Sequence, residues 1–171
     1  MVSMRAILSA TAALVALALL SALPARAQEV VTILDQKEWS VAGVGIGADE
    51  YATCAATDAS HADADIWLQI TETAGHDLFN EVSVMHPGDP QATAAILQVG
   101  SDRFVLAATE GDSFFSAAGD GGRIVAAMLK NAGLTLQFDG VSAPTPYSYD
   151  LAEFPKAYAA LVQHCRAPAH P

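Results

Sequence analysis

Basic residues are scarce in this chain: eight lysines and arginines stand against nineteen aspartates and glutamates, a net charge of −11 over 171 residues. A charge that negative disfavours a sequence-independent hold on nucleic acid or on an anionic lipid surface, and no nucleic-acid partner is expected. Catalytic signatures are missing as well. There is no Gly-x-Ser-x-Gly elbow for a serine nucleophile, no P-loop lysine, no His-Glu-x-x-His helix and no Asp-x-Asp-x-Asp-Gly calcium register. Gly119-Asp120-Gly121-Gly122 lacks the dinucleotide spacing, and Asp120 would repel a phosphate, so it reads as a turn and helix cap. No internal repeat or long low-complexity linker divides the chain.

What is present begins with an export signal. Arg5 precedes an apolar run from Ala6 to Leu23, followed by Pro24-Ala25-Arg26-Ala27. A positive start, an apolar stretch and a small-x-small ending predict a secretory signal peptide over residues 1–27, cleaved after Ala27. Pro24 and the Ala-x-Ala pattern favour cleavage over a retained membrane anchor, so no stable membrane insertion is expected afterwards. The mature chain keeps six basic residues against nineteen acidic ones, a net charge of −13. Its span, 28–165 with a flexible tail at 166–171, suits one domain.

Cysteine occurs twice, at Cys54 and Cys165, and neither lies near the cleavage site, which excludes lipid attachment there. Two cysteines in an exported chain predict one disulfide. Export also removes the free thiol that a reactive His164-Cys165 pair would need.

Hydropathy alternates with period two through most of the mature chain. Val30 to Ala42 reads as one or two strands with Trp39 and Val41 on one face. Gly43 to Asp49 reads as a turn or flexible loop, Tyr51 to Ala56 as a short strand, and Asp58 to Asp65 as a polar loop. Ile66 to Thr73 alternates cleanly and returns, after a turn at Gly75-His76, through Leu78 to Met85. Pro87-Gly88-Asp89-Pro90 is a break. Ala94 to Val99 and Arg103 to Ala108 flank Gly100-Ser101-Asp102, a three-residue hairpin signal, and Gly111-Asp112 turns into Phe114-Phe115.

The pattern then changes. Ile124, Val125, Met128 and Leu129 fall at helical spacing, with Asp120 as cap and Gly133 as stop. Leu134, Leu136 and Phe138 restore period two, and Tyr147, Tyr149 and Leu151 line another strand. A final helix starts near Phe154 with Pro155 in its first turn. On it Phe154, Tyr158, Leu161 and Cys165 lie within about 40° of one line. The expected fold is mainly β, an antiparallel barrel or sandwich with two short helices late in the chain, the C-terminal one packed on the sheet. Trp39, Phe138, Tyr147, Tyr149, Phe154, Tyr158 and Leu161 are its expected core.

One stretch is metal-like. If His61-Ala62-Asp63-Ala64-Asp65 is extended, His61, Asp63 and Asp65 share a side, and His76 could join from the next turn. The alternative is a solvated acidic loop with an incidental histidine, and no cofactor is assigned.

The C-terminal stretch resembles the invasion-associated locus B family of exported bacterial envelope proteins. The likeness runs from Ile124 to Cys165: an apolar helix ending in Leu129-Lys130, a strand from Leu134 to Gly140, then Tyr147-Ser148-Tyr149-Asp150-Leu151. It closes on Phe154, Ala157, Tyr158, Leu161 and Cys165 at family-like spacing, while Trp39-Ser40-Val41 and Cys54 resemble the family's mature start. Glu153 replaces an expected glycine, and further cysteines found in many members are missing. The resemblance implies a periplasmic or secreted β-rich domain without a known catalytic centre, linked in some members to host-cell invasion. The expected function is non-enzymatic binding of a protein, of the envelope or of a host, or of another envelope component. A small-ligand carrier, a barrel-type protease inhibitor and a metal-dependent hydrolase using His61, Asp63 and Asp65 are the alternatives.

Overall fold

The computed structural model describes residues 29–47, 50–73, 79–86, 92–109, 114–117, 119–141 and 145–165. The signal segment, His76, the turn at Gly75-His76, the break at 87–90, the Gly111-Asp112 turn and the tail at 166–171 lie outside them.

Among the described residues, ten strands form a single antiparallel sheet. They are β1 (Val30–Asp35), β2 (Trp39–Gly47), β3 (Glu50–His61), β4 (Ile66–Thr73), β5 (Glu81–Met85), β6 (Ala94–Val99), β7 (Asp102–Ala108), β8 (Phe114–Ser116), β9 (Gly133–Asp139) and β10 (Tyr147–Asp150). Their spatial order is β1-β2-β3-β4-β5-β8-β7-β6-β9-β10, and the sheet is not closed by a ladder between its first and last strands. The described residues also form two α-helices, α1 (Gly121–Met128) and α2 (Phe154–Cys165).

Alternation sets the inner face. In β4, Ile66, Leu68, Ile70 and Glu72 are buried, while Trp67, Gln69 and Thr71 are half-buried on the other side. Cross-strand pairing extends that face into β3, where Cys54, Ala56 and Asp58 stand opposite Glu72, Ile70 and Leu68. Leu134, Leu136, Phe138 and Tyr149 continue it at the far margin. Helix α2 lies across the strands of the first half, with Phe154, Ala157, Leu161 and Cys165 inward. Trp39 meets Phe154 at a centroid distance of 4.8 Å. The disulfide Cys54–Cys165, with Cα atoms 6.0 Å apart, fixes the helix to β3.

Several local expectations are corrected. The alternate glycines at 43 to 47 do not form a loop, because β2 continues to Gly47. Gly43 is a place of close approach: a Cβ there would sit 2.9 Å from Cγ of Tyr51, whose ring occupies the space. Likewise β3 does not stop at Ala56 but runs on to His61. The hairpin turn is the pair Gly100-Ser101, since Asp102 already pairs with Val99, and Gly100 takes φ +59°. Asp120 makes no side-chain cap bond and instead pairs with Arg123 at 2.8 Å. Four residues separate the end of α1 at Met128 from the strand-opening Gly133, so that glycine is not its stop.

Asn80 joins three elements. It is buried at φ +51°, its backbone N–H donates to Glu72 Oε1 at 3.2 Å, and its Oδ1 accepts from the Tyr158 hydroxyl at 2.8 Å. Its carbonyl lies against Gly121, where a Cβ would collide with it.

Candidate functional site

The two halves of the sheet meet at a seam between β10 and the region of β1 to β3. No ladder joins them there, so side chains supply the bonds. Trp39 Nε1 donates to the Asp150 carbonyl at 3.4 Å, and His61 Nε2 contacts the Ser148 carbonyl at 2.9 Å. The loop before β2 reaches the start of α2: Glu38 N–H donates to Glu153 Oε2 at 3.1 Å, and Gln36 Nε2 to the Glu153 carbonyl at 3.4 Å. A carbonyl only accepts, so Nε2 is the donor in the His61 contact.

Behind the seam sits a buried polar pair. Asp58 is inaccessible because β3 keeps the alternation of Cys54 and Ala56, which carries residue 58 to the inner face. One carboxylate oxygen, Oδ1, accepts from the Ser60 N–H at 2.7 Å and from the Ser60 hydroxyl. The other, Oδ2, and the Tyr149 hydroxyl are both buried without a hydrogen-bond partner. Burial pushes the Asp58 pKa up. The Ser60 bonds oppose that shift, the Glu38 charge adds to it, and the His61 charge opposes it. Burial also raises the pKa of Tyr149, with the charges of Asp58 and Tyr147 adding to it. The His61 ring stands edge-on to Tyr149 and Tyr147, at centroid distances of 4.8 and 5.2 Å.

Asp58, Ser60 and His61 are the residue types of a nucleophilic relay, but their geometry is not that of one. A relay places the imidazole between hydroxyl and carboxylate. Here Ser60 donates directly to Asp58, and His61 Nε2 is engaged by a backbone carbonyl.

The metal-like stretch is not extended. Ala62–Ala64 form a 3-10 turn and Asp65 takes φ +56°, so the alternation that would have aligned His61, Asp63 and Asp65 is broken. Asp63 and Asp65 are exposed, while the His61 ring turns to the two tyrosines. Among the described residues, no three His, Cys, Asp or Glu side chains are grouped to hold a metal ion.

Of the residues read as core, Trp39, Phe138, Tyr149, Phe154 and Leu161 are buried, and Tyr147 and Tyr158 are half-buried against them. The sequence reading missed Asp58, Ser60 and Asn80. The signal for Asp58 was available, because period two from Cys54 leads to it directly.

On the outer face, β4, β5 and β8 frame a groove of about 420 Å³. It is lined by Gln69, Thr71, Glu81, Ser83, Ser116 and Phe114. Phe114 is 42% exposed there, and Ser116 donates to Glu81 behind it. The groove is thus lined by one exposed aromatic ring together with hydroxyl, amide and carboxylate groups.

Fold and site define an open antiparallel β-sheet domain with a disulfide-tied helix over one half and a grooved outer face. No family model, curated protein or solved structure matches the chain. Among the described residues, no helix is long and apolar enough to cross a membrane.

Proposed function

We propose that this chain is an exported, non-enzymatic recognition domain that binds a protein of the envelope or of a host, in the manner implied by its resemblance to the invasion-associated locus B family. The observation that carries the reading is the outer groove, whose lining combines the exposed Phe114 with polar side chains. An exposed aromatic ring among hydrogen-bonding groups is a common composition for a protein-recognition patch. The filled interior supports surface recognition over carriage of a small ligand, since Trp39, Phe115, Phe154 and their neighbours form one continuous buried cluster. The engaged state of Ser60 and His61 supports binding over hydrolysis. Periplasmic or secreted residence is supported by the expected signal segment and is compatible with the disulfide.

A photo-crosslinking residue at Ser83, inside the groove, tests this in the exporting cell. The expected result is one discrete adduct that is lost when Phe114→Ala is added. Absence of any adduct, or an adduct indifferent to Phe114→Ala, overturns it.

A further inference from the structure

The two margins of the sheet are treated differently. At β10, the carbonyls of Ser148 and Asp150 are met by His61 and Trp39. At β1, the ladder with β2 is the one strand pairing among the described residues. An edge strand directs a row of N–H and C=O groups outward, a template for one more strand. Natural edges are blunted with lysine, proline or bulges. Residues 30–34 are Val-Val-Thr-Ile-Leu, with no charge and no proline, and the register shift between Thr32 and Leu34 is their one such device. Val30 is 69% exposed. The strand is bounded by carboxylates at both ends, Glu29 and Asp35, and both are exposed.

Those end charges decide what can pair there. An antiparallel second copy centred on Thr32 would set Glu29 opposite Asp35 at each end of the new ladder. Like charges directly opposite destabilise a strand pair. A parallel copy in register would set each carboxylate beside itself, and the chain's net charge of −11 adds to the repulsion. A segment with a basic residue at each end and neutral β-branched residues between them reverses both terms.

We propose that β1 takes up an extended segment of a protein partner as an added strand, the segment being neutral across its middle and basic at both ends. Main-chain bonds along Val30–Asp35 supply the pairing, and Glu29 and Asp35 select the charge. The proposal rests on the recognition reading in taking the partner to be a protein, and does not depend on the groove.

The test uses the mature protein and two blocked heptapeptides, Lys-Val-Thr-Val-Thr-Val-Lys and its Glu-ended counterpart. Hydrogen exchange of residues 30–35 is followed during titration. The Lys-ended peptide is expected to saturate and to slow exchange at β1 by roughly tenfold or more, while the Glu-ended peptide has no effect. Thr32→Lys, at an exposed position, should abolish the protection with the melting temperature kept. The pair Glu29→Lys and Asp35→Lys should exchange the preference between the two peptides. No protection by the Lys-ended peptide overturns the proposal, as does protection confined to other strands. Protection of β1 that rises with protein concentration in the absence of peptide also overturns it, by assigning the edge to a second copy. If the Ser83 adduct forms while the Lys-ended peptide gives no protection at β1, the edge proposal falls and the recognition reading stands.

Discussion

Gly121 and Asn80 are in backbone contact: the first residue of α1 lies against the Asn80 carbonyl, with no room for a Cβ between them. The neighbouring Gly122 is exposed, and a Cβ there would have its nearest neighbour, Asn80 Nδ2, at 3.9 Å. The same substitution at adjacent positions therefore has opposite signs. Gly121→Ala forces α1 away from the buried Asn80 and should destabilise by about 2–3 kcal/mol or more. Gly122→Ala should stabilise by up to ~1 kcal/mol through helix propensity. Urea denaturation of the two variants beside the parent gives both signs in one experiment.

The disulfide joins residues 111 positions apart. In the chain-entropy model a loop of that size restricts the unfolded chain by roughly 4–5 kcal/mol. That is a large share of the net stability of a typical domain. The Cys54→Ser, Cys165→Ser double variant should lose about that much, measured by denaturation without reductant. A loss below ~1 kcal/mol would show that α2 is held by its apolar stripe instead.

Asp58 makes stability depend on pH with a definite sign. Its folded pKa is raised above that of the unfolded chain, chiefly by burial. Between the ordinary carboxyl range and the raised native value, the folded state holds a proton that the unfolded state has released. The Asp58 contribution is thus fully present below the unfolded pKa and is lost as pH rises through the folded one. Asp58→Asn removes the charge and keeps an oxygen for Ser60. Its melting temperature should exceed that of the parent at pH 7, and the difference should shrink toward about pH 4. A difference that widens on acidification would contradict this account.

Most of the strand pattern was legible because half-buried strands declare themselves by alternation, as in Ile66, Leu68 and Ile70 or Leu134, Leu136 and Phe138. The face of α2 was legible for the same reason, at helical period. Two of the features missed, at Gly43 and Asn80, depended on distant partners, and the others were local. Gly43 reads locally as a turn residue, and only the Tyr51 ring across the ladder makes it a strand residue. Asp58 reads as a loop residue because a carboxylate is rarely buried, and its acceptance inside rests on Ser60 two positions on. The metal-like spacing of His61, Asp63 and Asp65 presumed an extended backbone, which the left-handed Asp65 breaks. Asn80, placed by Glu72, Tyr158 and Gly121, has no local signature at all.

The disulfide also divides the molecule topologically. Residues 54–165 form a covalent ring that contains every strand from β4 to β10 and both helices. The β1–β2 hairpin lies outside that ring as a pendant. It is held by its ladder with β3, by contacts with α2, and by the bonds from Gln36, Glu38 and Trp39 to Asp150 and Glu153. The hairpin is thus joined to the ring by the backbone at one end only, and Trp39 and Val41, fully buried in the core, also hold it in place. The strand offered as an open edge belongs to the one stretch of the described sheet that the disulfide does not enclose.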